Sequence, residues 1–188
     1  MAYDPQKYWE RRGGDYNVSA DTTRELDNLR QLVTTYIGEH DHVLEIGPGY
    51  GRIFQHLLIT TDIQRGNFYL CDFVDSMRHE CEQRTGRLPD SWDGITLPYA
   101  DRSFDFVISF SVMLHVPPAD IIQHFRETCR VSRKFVYIAT YNGGQEGVAD
   151  HCFSHPYLDY VYAFGMRVVD RKEFMDGLRV NYLLEKVI

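Results

Sequence analysis

The stretch that most restricts the fold is HVLEIGPGYGRIF, residues 42–54. A short apolar-rich run, Val43 to Ile46, meets a turn with glycines at 47, 49 and 51, and an apolar-periodic segment starts directly behind it. A buried strand that passes into a helix through glycines is the opening of a parallel α/β unit, because such a turn brings backbone N–H groups close to a ligand. The spacing here is G-x-G-x-G. A dinucleotide turn places its third glycine where this chain has Arg52, and a phosphate-binding loop needs a Lys-Ser/Thr pair that the stretch lacks. Plain chain reversal at Gly-Pro-Gly is the competing reading of the same residues.

The rest of the chain repeats that alternation. TTRELDNLRQLVTTYIG spaces its apolar residues by three and four and stops at Gly38, which predicts an amphipathic helix. Helices are also expected over GRIFQHLLITT, over VDSMRHECEQRTG up to Gly86, over PPADIIQHFRETCRVS behind its prolines, and from Pro156 to Phe164. NFYLCD, FDFVISFS and KFVYIAT read as strands, with MRVVD and NYLLEKVI as two more in the tail. Pro89 limits the region before Leu97 to a short edge strand near Ser91 and Trp92. Residues 1–20 show no periodicity and read as an arm. The prediction is one α/β domain, a three-layer sandwich around a mainly parallel sheet whose ligand lies at the carboxyl ends of the strands.

Composition narrows the partners. A net charge of -7 argues against general nucleic-acid binding, no apolar run is long enough to span a bilayer, and the start has no apolar signal-peptide core. The expected location is the cytoplasm. Cys71, Cys81, Cys129 and Cys152 form no C-x-x-C pair, so buried free thiols are expected. Aromatic residues make up 14% of the chain and crowd both ends, where they serve as core filler or as a cover over a pocket.

Asp72 ends the predicted strand that follows the glycine turn. An acid there can accept both hydroxyls of a ribose, although an Asp at that place also caps the next helix. Taken together, VLEIGPGYGRI, LCDFVDSM, WDGITLPYADRSFD and FVISFSVMLHV resemble the class I S-adenosylmethionine-dependent methyltransferases across roughly residues 40 to 140. The resemblance implies a Rossmann-like fold with an antiparallel last strand and S-adenosyl-L-methionine as cofactor. Gly47 and Gly49 would meet the methionine part, with Glu45 shaping the turn and facing the amino group. Asp72 would hold the ribose, Phe73 would lie against the adenine, Asp93 would accept from the adenine amino group, and the Gly94–Ile95 backbone would serve a ring nitrogen. The carbonyl of Phe110 would face the cofactor ammonium, although its ring departs from the small or polar residue common there. The segment YWERRGGDY is similar to the N-terminal arm of many small-molecule methyltransferases, which implies that Tyr8, Trp9, Arg12 and Tyr16 close the pocket and that Arg12 pairs the methionine carboxylate.

A base is needed only where the acceptor is a hydroxyl or a protonated amine. His115, just past the fourth strand, and His151 and His155, in the substrate-side segment 150–165, are the candidates. His151 and His155 also invite a metal, but Pro156 keeps the two off one helical face and no metal is expected. The expected reaction is methyl transfer to a small molecule, with oxygen acceptors, sugars included, preferred. A nicotinamide-dependent oxidoreductase and an inactive cofactor-binding partner subunit are the alternatives.

Overall fold

The computed structural model describes residues 3–12, 23–142 and 149–187. Among the described residues all strands join one seven-stranded sheet in the order β3-β2-β1-β4-β5-β7-β6. These are β1 (Val43–Ile46), β2 (Phe68–Asp72), β3 (Asp90–Ser91), β4 (Phe104–Phe110), β5 (Ser132–Tyr141), β6 (Met166–Phe174) and β7 (Arg179–Lys186). β1 pairs in parallel with β2 and β4, β2 with β3, and β4 with β5. Only β7 runs against its neighbours, β5 and β6. The order reverses at β1, between β2 and β4, so the carboxyl ends of these three strands open a crevice.

Helices cover both faces, as the alternation predicts. Along β1, Val43 points into a core shared with α2 (Thr23–Tyr36) and α3 (Arg52–Thr60), while Leu44 and Ile46 join the opposite core with α5 (Ile121–Val131) and α6 (Tyr157–Ala163). α4 (Asp75–Thr85) adds Cys81 to the first core and ends at Gly86 in the left-handed region. The four cysteines are free. At the amino end of β4, Asp105 takes a two-pronged bond from Arg133, at 2.9 and 2.5 Å, and the His42 N–H. Burial opposes its charge, yet these partners together with Lys134 hold its carboxyl down at about 2.

Three expectations need correction. The arm holds a two-turn helix, α1 (Pro5–Arg12), which the sequence concealed because its apolar residues are few; Asp4 accepts from the Lys7 N–H and Pro5 supplies a helical start that needs no donor. The edge strand falls one residue earlier than expected, at Asp90–Ser91. MRVVD proves to be half of a longer strand, because β6 pairs with β7 along its length with a register shift between Val168 and Asp170.

Candidate functional site

The crevice holds a cavity of about 310 Å³. Its floor is the glycine turn. Gly47 donates to the Cys71 carbonyl on β2 at 2.8 Å, which ties the turn to the strand carrying Asp72. Gly49 has φ +56, and a Cβ there would meet nothing within 4 Å, so this residue leaves open space on the cavity side. Gly51 has φ +84 and a different reason to be glycine: a Cβ would run into Thr85 and Cys81 of α4. This is an approach of the turn to helix α4, not the helix–strand packing that a dinucleotide fold assigns to its third glycine, a position held here by Arg52.

Two buried acids stand behind the turn. Asp72, 4% exposed, is pushed up to about 6 by burial, against the backbone N–H groups of Val74, Gly49 and Phe73 that favour its charge. Glu45 is pushed up to about 8 by burial, which Arg52 only partly offsets, and its Oε2 has no partner among the described residues. At neutral pH Glu45 is mostly protonated.

Phe73, Asp93, Gly94 and Ile95 line the next stretch of wall. Asp93 Oδ1 accepts from the N–H groups of Ile95, at 2.8 Å, and Thr96, at 2.6 Å, and these bonds hold its carboxyl below the usual range. This corrects one expectation: the Ile95 N–H is spent on the turn itself. Phe110 also lines the cavity, with the Arg52 guanidinium 5.6 Å from its ring centre.

At the far end stand α1 and the segment around His151. Trp9 and His115 line the cavity and meet edge to face at 4.7 Å. His115 belongs to a single 3₁₀ turn, Met113–His115, fixed from behind by the Phe153 N–H on the Leu114 carbonyl. Its Nδ1 lies 2.9 Å from the His151 carbonyl, which can only accept, so Nδ1 carries the proton and Nε2 the lone pair. Burial lowers this imidazole to about 4. The His151 ring stacks on His115 at 5.3 Å and on Tyr8 at 4.4 Å, and the Tyr8 hydroxyl lies 3.1 Å from His151 Nε2.

The remaining candidates lie apart from the cavity wall. Arg12 donates to the Tyr8 hydroxyl at 2.5 Å on the exposed side of α1 and does not line the cavity. His155, 5% exposed, has Nε2 3.0 Å from the Val116 carbonyl and pins its loop to the turn after β4. Tyr16 lies outside the described residues. His115, His151 and Cys152 bring potential ligand atoms within 4.8 Å of one another, but the His115 nitrogen nearest Cys152, at 3.8 Å, is already bonded to a carbonyl. Two residues escaped the sequence reading. Arg52 lines the cavity in the very position read as a missing glycine, and Ser111 lines it with φ +60, a backbone strain that composition does not reveal.

A strand-order reversal with a glycine turn, an acid ending β2 and a second acid beyond β3 defines an α/β protein with a ligand crevice at the carboxyl ends of its strands. A methyltransferase domain family model matches residues 44–139, half of the chain, and the chain belongs to that family. It is an S-adenosylmethionine-dependent methyltransferase, and the match does not favour the nicotinamide alternative. Solved structures share the fold at low identity. The methyltransferase in complex with the Haloferax volcanii Trm112 activator is 17% identical, with TM-score 0.74 over 100% of both chains. Magnesium protoporphyrin IX methyltransferase from Synechocystis, with bound S-adenosylhomocysteine, is 14% identical, with TM-score 0.72 over 96% of this chain and 93% of that one. An S-adenosylmethionine-dependent methyltransferase from Aquifex aeolicus is 14% identical, with TM-score 0.69 over 98% and 100%. Among the described residues no helix is long and apolar enough to cross a membrane.

Proposed function

We propose that the chain methylates an oxygen of a small-molecule acceptor, a sugar hydroxyl among the candidates, with His115 as the group that orients the reacting hydroxyl. The observation that carries this reading is the fixed tautomer of His115, whose Nε2 lone pair belongs to a ring lining the cavity of the glycine turn. The residues present fit the cofactor: the unpartnered Glu45 oxygen and the open side of Gly49 suit its amino-acid end, and buried Asp72 suits the ribose hydroxyls. Phe73 and Asp93, which line the cavity beside Asp72, suit the adenine.

When bound, S-adenosylmethionine supplies a methyl group on a sulfonium, open to in-line displacement. The protein aligns the acceptor and keeps water out, with Trp9 as the cover on the acceptor side. With its conjugate acid near 4, His115 is a weak base at neutral pH, and a weak base suffices. A neutral hydroxyl becomes strongly acidic only as its new bond to carbon forms, and the proton then passes to Nε2. We place this reaction in the cytoplasm, supported by the four free cysteines.

His115→Ala and His115→Gln, assayed with labelled methyl donor across a panel of hydroxylated acceptors, test the assignment. Loss of turnover in both with cofactor affinity kept is the expected result; full turnover in either would remove His115 from the reaction. The Haloferax neighbour, found with an activator protein, supports a second reading in which this chain also needs a protein partner. Turnover by the isolated chain would set that reading aside.

A further inference from the structure

The large ring at Phe110 has an unusual surrounding. Arg52, which opens α3 and lines the cavity, lies over it at 5.6 Å, and Arg179, at the start of β7, lies over it at 6.0 Å. Arg179 is 7% exposed. It donates from Nε to Glu25 on α2 at 2.7 Å and from Nη2 to the Ser111 hydroxyl at 2.8 Å. A buried guanidinium costs too much unless paired, so Glu25 accounts for its charge but not for its second bond.

Ser111 is the residue on which the cluster converges. It adopts φ +60, which side chains rarely take, and its N–H is fixed on the Ala139 carbonyl at 2.8 Å. A guanidinium only donates, so Ser111 Oγ accepts in the bond from Arg179 and keeps its own proton to give. The residue lines the cavity between Phe110 and His115. Strain of this kind persists where its surroundings enforce it, and here β5 and Arg179 both do.

We propose that Ser111, polarised by Arg179 and lining the same cavity as Arg52, is a seat for a carboxylate at the methyl-transfer end of the cavity. The inference rests on the methyltransferase reading for which end this is. Arg12, the expected partner of the methionine carboxylate, does not line the cavity, whereas Arg52 and Ser111 do. The carboxylate belongs either to the cofactor's amino-acid end or to the acceptor.

Ser111→Gly is the sharpest variant, because glycine takes φ +60 without strain, which offsets part of the cost of leaving Arg179 Nη2 without this acceptor. If the cofactor fills the seat, S-adenosylhomocysteine binds S111G about tenfold more weakly, while methylthioadenosine, which has no amino-acid end, binds as to wild type. If the acceptor fills it, cofactor affinity is unchanged, and benzoate titrated into protein saturated with S-adenosylhomocysteine binds wild type about tenfold better than S111G. Unchanged binding of all three ligands, or an equal loss for methylthioadenosine, overturns the proposal. Should wild type bind no S-adenosylhomocysteine, the cofactor reading fails by itself, and Ser111-dependent binding of benzoate to the bare protein then decides the seat.

Discussion

The two ends of the cavity are built by different means. The cofactor end consists of short turns at the tips of β1, β2 and β3, each joined to the next by backbone: Gly47 to the Cys71 carbonyl, Asp72 to Val74, Asp93 to Ile95 and Thr96. The end proposed for the acceptor consists of side chains from segments far apart in sequence, with Tyr8 and Trp9 on α1 packed against His115 and His151. Backbone-built sites tolerate a change in acceptor chemistry, because their geometry is set by buried strands. A site made of stacked rings is free to change its shape with few substitutions.

Loss of Asp72, the acid proposed for the ribose, should break the first end most severely. Asp72→Ala removes a buried acceptor of hydroxyl bonds and should weaken S-adenosylhomocysteine binding by roughly a hundredfold or more, read by calorimetry. Gly51→Ala should cost about 2–4 kcal/mol of stability, from positive φ and the clash with Thr85 and Cys81. Gly49→Ala, with nothing within 4 Å of the added carbon, should cost about 1 kcal/mol in denaturant melts and act mainly on cofactor binding. If both glycine variants melted alike, the division between a packing glycine and a ligand-facing one would be wrong.

At the other end the effects should be smaller and fall on turnover. His115→Ala should lower the rate by about tenfold to a hundredfold, consistent with an orienting group of low basicity. His155→Leu should leave the rate within about twofold and cost about 1 kcal/mol of stability through its lost bond to Val116. Equal rate losses in the two variants would place His155 in the reaction.

A separate effect is one of pH. Glu45 is raised in the folded protein to about 8, so its contribution to stability is complete below its unfolded value near 4.5 and fades as pH rises through 8. His115 is lowered to about 4, so its contribution is present above 6.5 and is lost as pH falls through 4. The two oppose each other between 4.5 and 6.5, and between 6.5 and 8 the Glu45 slope stands without that opposition. A cofactor ammonium favours ionised Glu45, so affinity for S-adenosylmethionine should rise by up to about tenfold from pH 6 to pH 8. Glu45→Gln should flatten that profile; a profile unchanged by the substitution would remove Glu45 from the amino-acid end.

The same contrast explains what could be read from the sequence. Glycines that need positive φ and acids at strand ends follow from local backbone rules, so Gly47, Gly49, Asp72 and Asp93 stand in the order their spacing announces. The sheet was legible for the same reason, since buried strands and amphipathic helices carry periodicities that survive in a single chain. Arg52 was visible but counted only as a glycine lost. Pairings such as Arg179 with Ser111 and Glu25, or His115 with His151, join residues 36 to 154 positions apart, and no local pattern encodes them. α1 was missed because a helix of mainly polar residues, docked by two aromatic rings, has no apolar stripe.

Titration of S-adenosylhomocysteine and NAD into the isolated protein tests the central claim most directly. The account predicts micromolar binding of S-adenosylhomocysteine and none of NAD, since Arg52 stands in place of the third glycine of a dinucleotide turn. Binding of NAD, or no binding of S-adenosylhomocysteine, would contradict it.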